Sequence, residues 1–113
     1  MQERQPMGNI TDAEWCILQT LWHFSEARGM TLGEVACGLA EKQQWTHATI
    51  RTLLLRMEEK ALIRVDRQHS VFLYAPCYTE EACLQFQLTA LVERVFGGDT
   101  AVLLAILRQK LEE

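Results

Sequence analysis

Apolar residues recur at three- and four-residue spacings in the first half of the chain, and each such stretch opens on a helix-starting signature. Thr11-Asp-Ala-Glu14 has the form of a capping box: the threonine oxygen accepts an N–H of the first turn and Glu14 reaches back to the cap N–H. Trp15, Leu18, Leu21 and Trp22 then share one face, so a helix is expected from Thr11 that fades near Ser25, before Gly29. The tryptophans are assigned to the core. Thr31-Leu-Gly-Glu34 repeats the box and opens a second helix, with Leu32, Val35, Ala36 and Leu39 as its stripe and an end near Lys42. Gly38 weakens that helix by about 1 kcal/mol relative to alanine. The close approach of a neighbouring helix would explain a glycine there.

Gln43-Gln44-Trp45 makes a short joint, and Thr46 is a third N-cap candidate for a helix to about Lys60. Ile50, Leu53, Leu54 and Met57 cluster on one side of this helix at 100° per residue. Nearly opposite lie Ala48, Thr52 and Leu55, with Arg51 and Arg56 on the flanks. One side therefore packs, and the other offers small, hydroxyl-bearing and cationic side chains.

The period then changes. Leu62–Asp66 and Val71–Ala75 read as two short strands, joined through Arg67-Gln-His-Ser70 as a hairpin that Pro76 ends. A long helix is expected from Thr79, with acids in its first turn where the helix dipole favours them. Leu84, Leu88, Leu91 and Val95 form its stripe, broadened by Phe86, Val92 and Phe96. Gly97-Gly98 breaks it, and Asp99 or Thr100 caps a last helix to about Leu111 that carries Val102, Leu103, Ile106, Leu107 and Leu111. No internal repeat appears.

Three capped helices followed by a hairpin is the order of a winged helix-turn-helix, in which the third helix is the recognition helix and the hairpin the wing. The expected fold is mainly α with a small β-hairpin wing (α+β): a winged helix-turn-helix domain over 8–76 and a helical dimerisation region over 77–113. Other small α+β domains share the pattern, so it does not fix a function alone.

Composition narrows the choice. With 113 residues, 49% hydrophobic and 23% charged, the chain is of single-domain size and neither disordered nor membrane-like. Its longest apolar run, Ala101–Leu107, is far short of the roughly 20 residues of a spanning helix. The polar start MQERQPMGN shows no signal peptide, and a cytoplasmic location is expected. Cys16, Cys37, Cys77 and Cys83 form no C-x-C or C-x-x-C pair and, like the scattered His23, His47 and His69, suggest neither metal nor cofactor. They are read as reduced structural cysteines. There is no paired-carboxylate, phosphate-loop or nucleophile–base signature of an enzyme. The net charge of −4 argues against nucleic acid, but Lys42, Arg51, Arg56, Lys60, Arg64 and Arg67 outnumber Glu58, Glu59 and Asp66 between Lys42 and Tyr74. A basic segment in an acidic chain suits phosphate, although a solvated charged face would look similar.

Five segments in order, Ile10-Thr-Asp-Ala-Glu-Trp15, Trp45–Leu54, Arg56-Met-Glu-Glu-Lys60, Tyr74-Ala-Pro76 and Val95-Phe-Gly-Gly98, resemble the penicillinase-repressor (BlaI/MecI/CopY) family, over about Ile10 to Leu107. The resemblance implies a bacterial homodimeric repressor on a pseudo-palindromic operator, with a winged domain that reads double-stranded DNA and last helices that intertwine. The residues suit that role, since a helix apolar on several sides has too little core to bury it in so small a monomer. Leu84, Leu88, Leu91, Val92, Val95, Phe96, Leu103, Ile106 and Leu107 are the dimerisation candidates. The competing arrangement folds these helices back on the first domain.

The DNA-facing candidates are Thr46, His47, Ala48, Thr49, Arg51, Thr52, Leu55 and Arg56, with Arg67 and His69 as wing contacts to phosphate. By resemblance and by type Thr46 caps the recognition helix and offers a hydroxyl or N–H to phosphate. Thr49 and Thr52 match family positions at the DNA surface, Arg51 replaces a usual lysine, and Arg56 matches a family arginine, for which pairing with an acid is the other reading. Several positions depart from the family. Ala48 stands where lysine is frequent, Leu55 where a polar residue is common, and Ala61 where glycine is usual. If Ala61 needs positive φ, it costs about 1 kcal/mol. The Asn-Phe step cleaved in β-lactam-responsive members aligns with Ala105-Ile106, so release by that cut is not expected. The C-x-C pairs of copper-responsive members are absent, so metal sensing is not expected either. An unknown antirepressor or protease remains open as the releasing partner. Two other functions stay open from the residues: a winged protein-interaction module, suggested by Leu55 and the acidic net charge, and a thiol-based redox regulator using Cys77 or Cys83.

Overall fold

The computed structural model describes residues 9–24 and 28–113. The elements are α1 (Asp12–Phe24), α2 (Leu32–Leu39), α3 (His47–Glu59), β1 (Ile63–Asp66), β2 (Leu73–Pro76), α4 (Glu80–Phe96) and α5 (Thr100–Glu112). They form the winged-helix order expected, divided into two compact units that meet at Glu80/Glu81. The expected fading of the first helix at Ser25 and the polar start of the chain, 1–8, lie outside the described residues.

Helix starts follow the caps. Thr11 Oγ1 accepts from Glu14 N at 3.1 Å while Glu14 Oε1 accepts from Thr11 N at 2.9 Å. Thr31 and Glu34 make the same reciprocal pair at α2, and Thr46 Oγ1 accepts from Thr49 N at α3. Each box satisfies donors that the first turn would otherwise leave orphaned. Helix α2 stops at Leu39, short of the Lys42 expected, and a turn bonded from Lys42 N and Gln43 N to Leu39 O takes its place.

The core of the first unit is made by Ile17, Leu18 and Leu21 of α1, Val35 and Leu39 of α2, Ile50, Leu54 and Met57 of α3, and Leu62, Ile63 and Tyr74 around the hairpin. Trp15, Trp22 and Trp45 pack half-buried on its rim, Trp15 and Trp22 edge to face at 5.4 Å. Trp22 Nε1 donates to Tyr78 O at 2.9 Å, which satisfies the indole donor and ties the stretch after β2 to α1. Gly38 has the reason anticipated for it: a Cβ would stand 2.6 Å from Thr20 Cγ2 of α1.

The end of α3 is a Schellman motif, with Ala61 N donating to Glu58 O and Leu62 N to Met57 O. The motif needs a left-handed residue, and Ala61 supplies it at φ 63°. The chain thereby turns into the hairpin. Its antiparallel register pairs Ile63 with Pro76 and Asp66 with Leu73, so the second strand starts at Leu73 and not at Val71. Val71 and Phe72 belong to the loop and are exposed. Alternation alone cannot separate such residues from a strand. A bridge that the pattern did not show joins Met30 to Tyr74, each donating its N–H to the other's carbonyl at 2.8 and 2.7 Å. Gly29 permits that approach at φ 92°, since a Cβ would meet Tyr74 O at 2.8 Å.

In the second unit α4 ends on Gly97 and Gly98, both left-handed, and Asp99 caps α5 by accepting from Ala101 N and Val102 N. No helix among the described residues is long and apolar enough to cross a membrane.

Candidate nucleic-acid interface

Helix α3 is anchored on one side and open on the other. Ile50, Leu54 and Met57 are buried against α1, α2 and β1. On the opposite side His47, Ala48, Thr49, Arg51, Thr52, Leu55 and Arg56 are all exposed, as is the cap Thr46. Successive positions turn by 100°, which places Ala48, Thr52 and Leu55 along the middle of the open face and the two arginines on its borders. Among the described residues neither Arg51 nor Arg56 forms an ion pair. Two guanidiniums thus flank an open helix face whose N-terminal end carries the positive pole of the helix dipole. That geometry suits an anionic partner with a groove wide enough for a helix.

Two braces fix the position of α3. Lys60 Nζ, just past its end, donates to Glu14 Oε1 at 2.7 Å and to Asn9 O at 3.0 Å. Glu14 is only 2% exposed, and its carboxylate oxygen is met by that partner and by its own cap bond. The second brace joins α3 to the wing. Both oxygens of Glu58 accept from Arg67 at 2.7 Å, a bidentate pair, and the Arg67 guanidinium lies 5.2 Å from the Phe72 ring centroid. The hydrogen bonds from Arg67 hold the Glu58 carboxyl below its ordinary range, and in return Arg67 is pushed further up. The sequence pointed to Arg67 as a phosphate contact; in the chain by itself its guanidinium is paired with Glu58 of α3. His69 remains at the exposed tip, with Nε2 3.5 Å from Asp66 Oδ2.

Sequence reasoning did not single out Glu58, Glu59 or Glu14 for these places. Glu59 is exposed one turn beyond Leu55, on the same open face. Its helical register was readable; the braces at Glu58 and Glu14 join residues 9 and 46 positions apart and leave no periodic trace.

The dimerisation candidates divide. Leu84, Leu88 and Val95 of α4 and Ile106 and Leu107 of α5 are exposed, Leu91 and Phe96 are half-buried, and Val92 and Leu103 are already buried in the single chain. Cys83 is buried, and desolvation pushes its thiol up. The Cys77 residue keeps exposed surface, yet desolvation around its thiol outweighs the opposing pull of Arg64 and pushes it up too. A raised thiol holds less of the reactive thiolate. Among the described residues no group of histidines, cysteines and acids has metal-binding geometry.

The family model described as penicillinase repressor matches residues 10–113. The penicillinase repressor of Bacillus licheniformis is 27% identical over 89 residues, covering 79% of this chain and 67% of that protein. The penicillinase repressor of Staphylococcus aureus is 21% identical over 90 residues, covering 80% of this chain and 69% of its own. The matches thus span about two thirds of these relatives. Among solved structures, the monomeric form of Bacillus licheniformis BlaI in complex with the blaP half-operator superposes with a TM-score of 0.55 at 29% identity, covering 67% of this chain and 89% of that one. The DNA-binding domain of the repressor BlaI gives 0.56 at 27% identity, covering 72% and 93%.

Proposed function

The chain belongs to the penicillinase repressor family, a family of repressors and not of enzymes, and from that premise we propose that it is a homodimeric transcriptional repressor that binds a pseudo-palindromic operator in the bacterial cytoplasm. The single observation that carries the reading is the two-sidedness of α3. Its buried side is bolted to the core and its open side, bordered by Arg51 and Arg56, is left free. The likeness to a BlaI chain solved on a half-operator supports placing DNA on that side.

In this reading Thr46 and the first-turn N–H groups of α3 meet phosphate, while Thr49, Arg51, Thr52, Leu55 and Arg56 face the major groove with His47 and Ala48. His69 at the wing tip approaches the adjacent backbone. Arg67 holds the wing at a fixed angle to α3 through Glu58, and orients more than it contacts. The region before α4 reads DNA, and α4 with α5 pairs two chains through Leu84, Leu88, Val95, Ile106 and Leu107. Two-fold symmetry sets the recognition helices about 34 Å apart, one turn of duplex, or a multiple of it.

Mobility shift on duplexes from the gene's own promoter region tests this. Binding is expected at low salt and falls steeply as salt rises, because phosphate contacts release counterions. Arg51→Ala lowers affinity about tenfold or more while leaving the fold intact by circular dichroism. No shift with any promoter fragment at low salt defeats the proposal. Partners that are captured after nuclease treatment, with no footprint, would favour a protein-interaction module built on exposed Leu55. A thiol-based regulator gains nothing from the upward-shifted Cys77 and Cys83.

A further inference from the structure

We propose that Ala48, Thr52 and Leu55 form a methyl-reading strip that selects pyrimidines carrying a C5-methyl group, thymine in ordinary DNA, in the floor of each half-site; this rests on the DNA-binding reading of α3. The three positions are spaced by four and three residues, so they lie in one line down the helix. All three are exposed, and Leu55 keeps 51% of its surface, a branched apolar side chain held out into water at the centre of the open face. Thr52 Oγ1 donates to Ala48 O at 3.0 Å, so its proton is used within the helix. What Thr52 adds to the line is a methyl group and acceptor lone pairs, and Ala48 adds a second methyl.

The centre of the face therefore carries no side-chain donor free for a base, while donors stand on both borders in Arg51 and Arg56. That layout complements a duplex, whose phosphates rim the groove and whose bases form its floor. The C5-methyl of thymine is the apolar group that ordinary bases present in the major groove. Under Leu55, a guanine or cytosine would lose water from O6, N7 or N4 and receive no partner in return. Selection thus works by attraction to the methyl and by rejection of unmatched polar edges. The lysine frequent at position 48 in the resembled family would do the reverse and offer a donor, so this chain is expected to prefer a different central step. Glu59, one turn further, limits the strip at its C-terminal end.

The experiment starts from a promoter duplex that the protein protects. Each thymine in the protected half-sites is replaced singly by deoxyuridine, which lacks only the methyl, and affinity is read by fluorescence anisotropy. The expected result is a loss of about fourfold per methyl at one or two thymines of each half-site, the value of one buried methyl. Leu55→Ala, checked for an unchanged fold, weakens the thymine duplex and becomes insensitive to deoxyuridine at the same position. Cytosine placed at that step binds worse, and 5-methylcytosine there recovers part of the loss. The strip is refuted if every deoxyuridine duplex binds the wild-type chain as well as the parent does. It is equally refuted if Leu55→Ala keeps full sensitivity, or if the methylated cytosine recovers nothing. Failure of all promoter duplexes to bind at all overturns the DNA-binding reading itself, and the strip with it.

Discussion

Ile17, Leu18, Leu21, Val35, Ile50, Leu54 and Met57, in the unit that ends at Glu80, are almost wholly buried. In the unit Glu81–Glu113, helices of similar apolar content leave Leu84, Leu88, Val95, Leu104, Ile106 and Leu107 facing water, with Val92 and Leu103 the large aliphatics inside. The difference lies in geometry more than in composition. The three short helices and the hairpin of the first unit pack on one another and close a core, whereas α4 and α5 do not pack on each other to a comparable extent. So many exposed aliphatics on two helices point to an interface, while the first unit closes its core with its own elements. The first unit is thus read as a self-sufficient reading head and the second as half of a joint.

The sharpest way to break this contrast is Leu88→Asp. A charge in the centre of the exposed α4 face is expected to prevent pairing of two chains and to lower operator affinity by about a hundredfold or more, the gain from linking two binding modules. Sedimentation velocity and anisotropy read both, and the core of the first unit should melt as before. Loss of fold in place of loss of association would mean that Leu88 serves its own chain.

Glu14→Gln probes the other side of the contrast, the claim that the first unit is closed by its own contacts. It strips Lys60 of its buried partner and should cost about 2–3 kcal/mol, below the full value of a buried pair because Lys60 is 29% exposed. Urea unfolding measures the loss. The effect should be confined to the first unit, and a loss under about 0.5 kcal/mol would show that the brace contributes little.

Ala61→Gly carries the smallest expected effect. It relieves the left-handed strain at φ 63° and should stabilise by about 1 kcal/mol, less whatever unfolded-state entropy glycine adds. A rise in the urea midpoint at unchanged slope is the expected reading. A fall would place the strain elsewhere.

What could be read from the sequence was what is local. The boxes at Thr11–Glu14 and Thr31–Glu34, the cap at Thr46, the stripe of α3 and the glycine break after Phe96 each involve residues within one or two turns, and each appears as expected. The tight place at Gly38 was also foreseen from the steric needs of a single residue, and the strain at Ala61 only through the glycine usual there in the resembled family, on the condition of a positive φ. The Met30–Tyr74 bridge, the Lys60–Glu14 pair and the Arg67–Glu58 clasp were not, since they join distant positions that no period connects. Nor does a stripe of leucines say which of its members face their own chain. Val92 and Leu103 are inside and Leu88 and Leu107 outside, a division that the run of apolar residues does not encode by itself.

The most direct test is hydroxyl-radical footprinting of the wild-type chain on its promoter duplex, run beside sedimentation of the same complex. The account predicts two chains on each duplex and two protected blocks on one side of the helix, about 10 base pairs or a multiple of that apart. One chain on a duplex with one block, or protection that survives when the open face of α3 carries acids at Arg51 and Arg56, would contradict it.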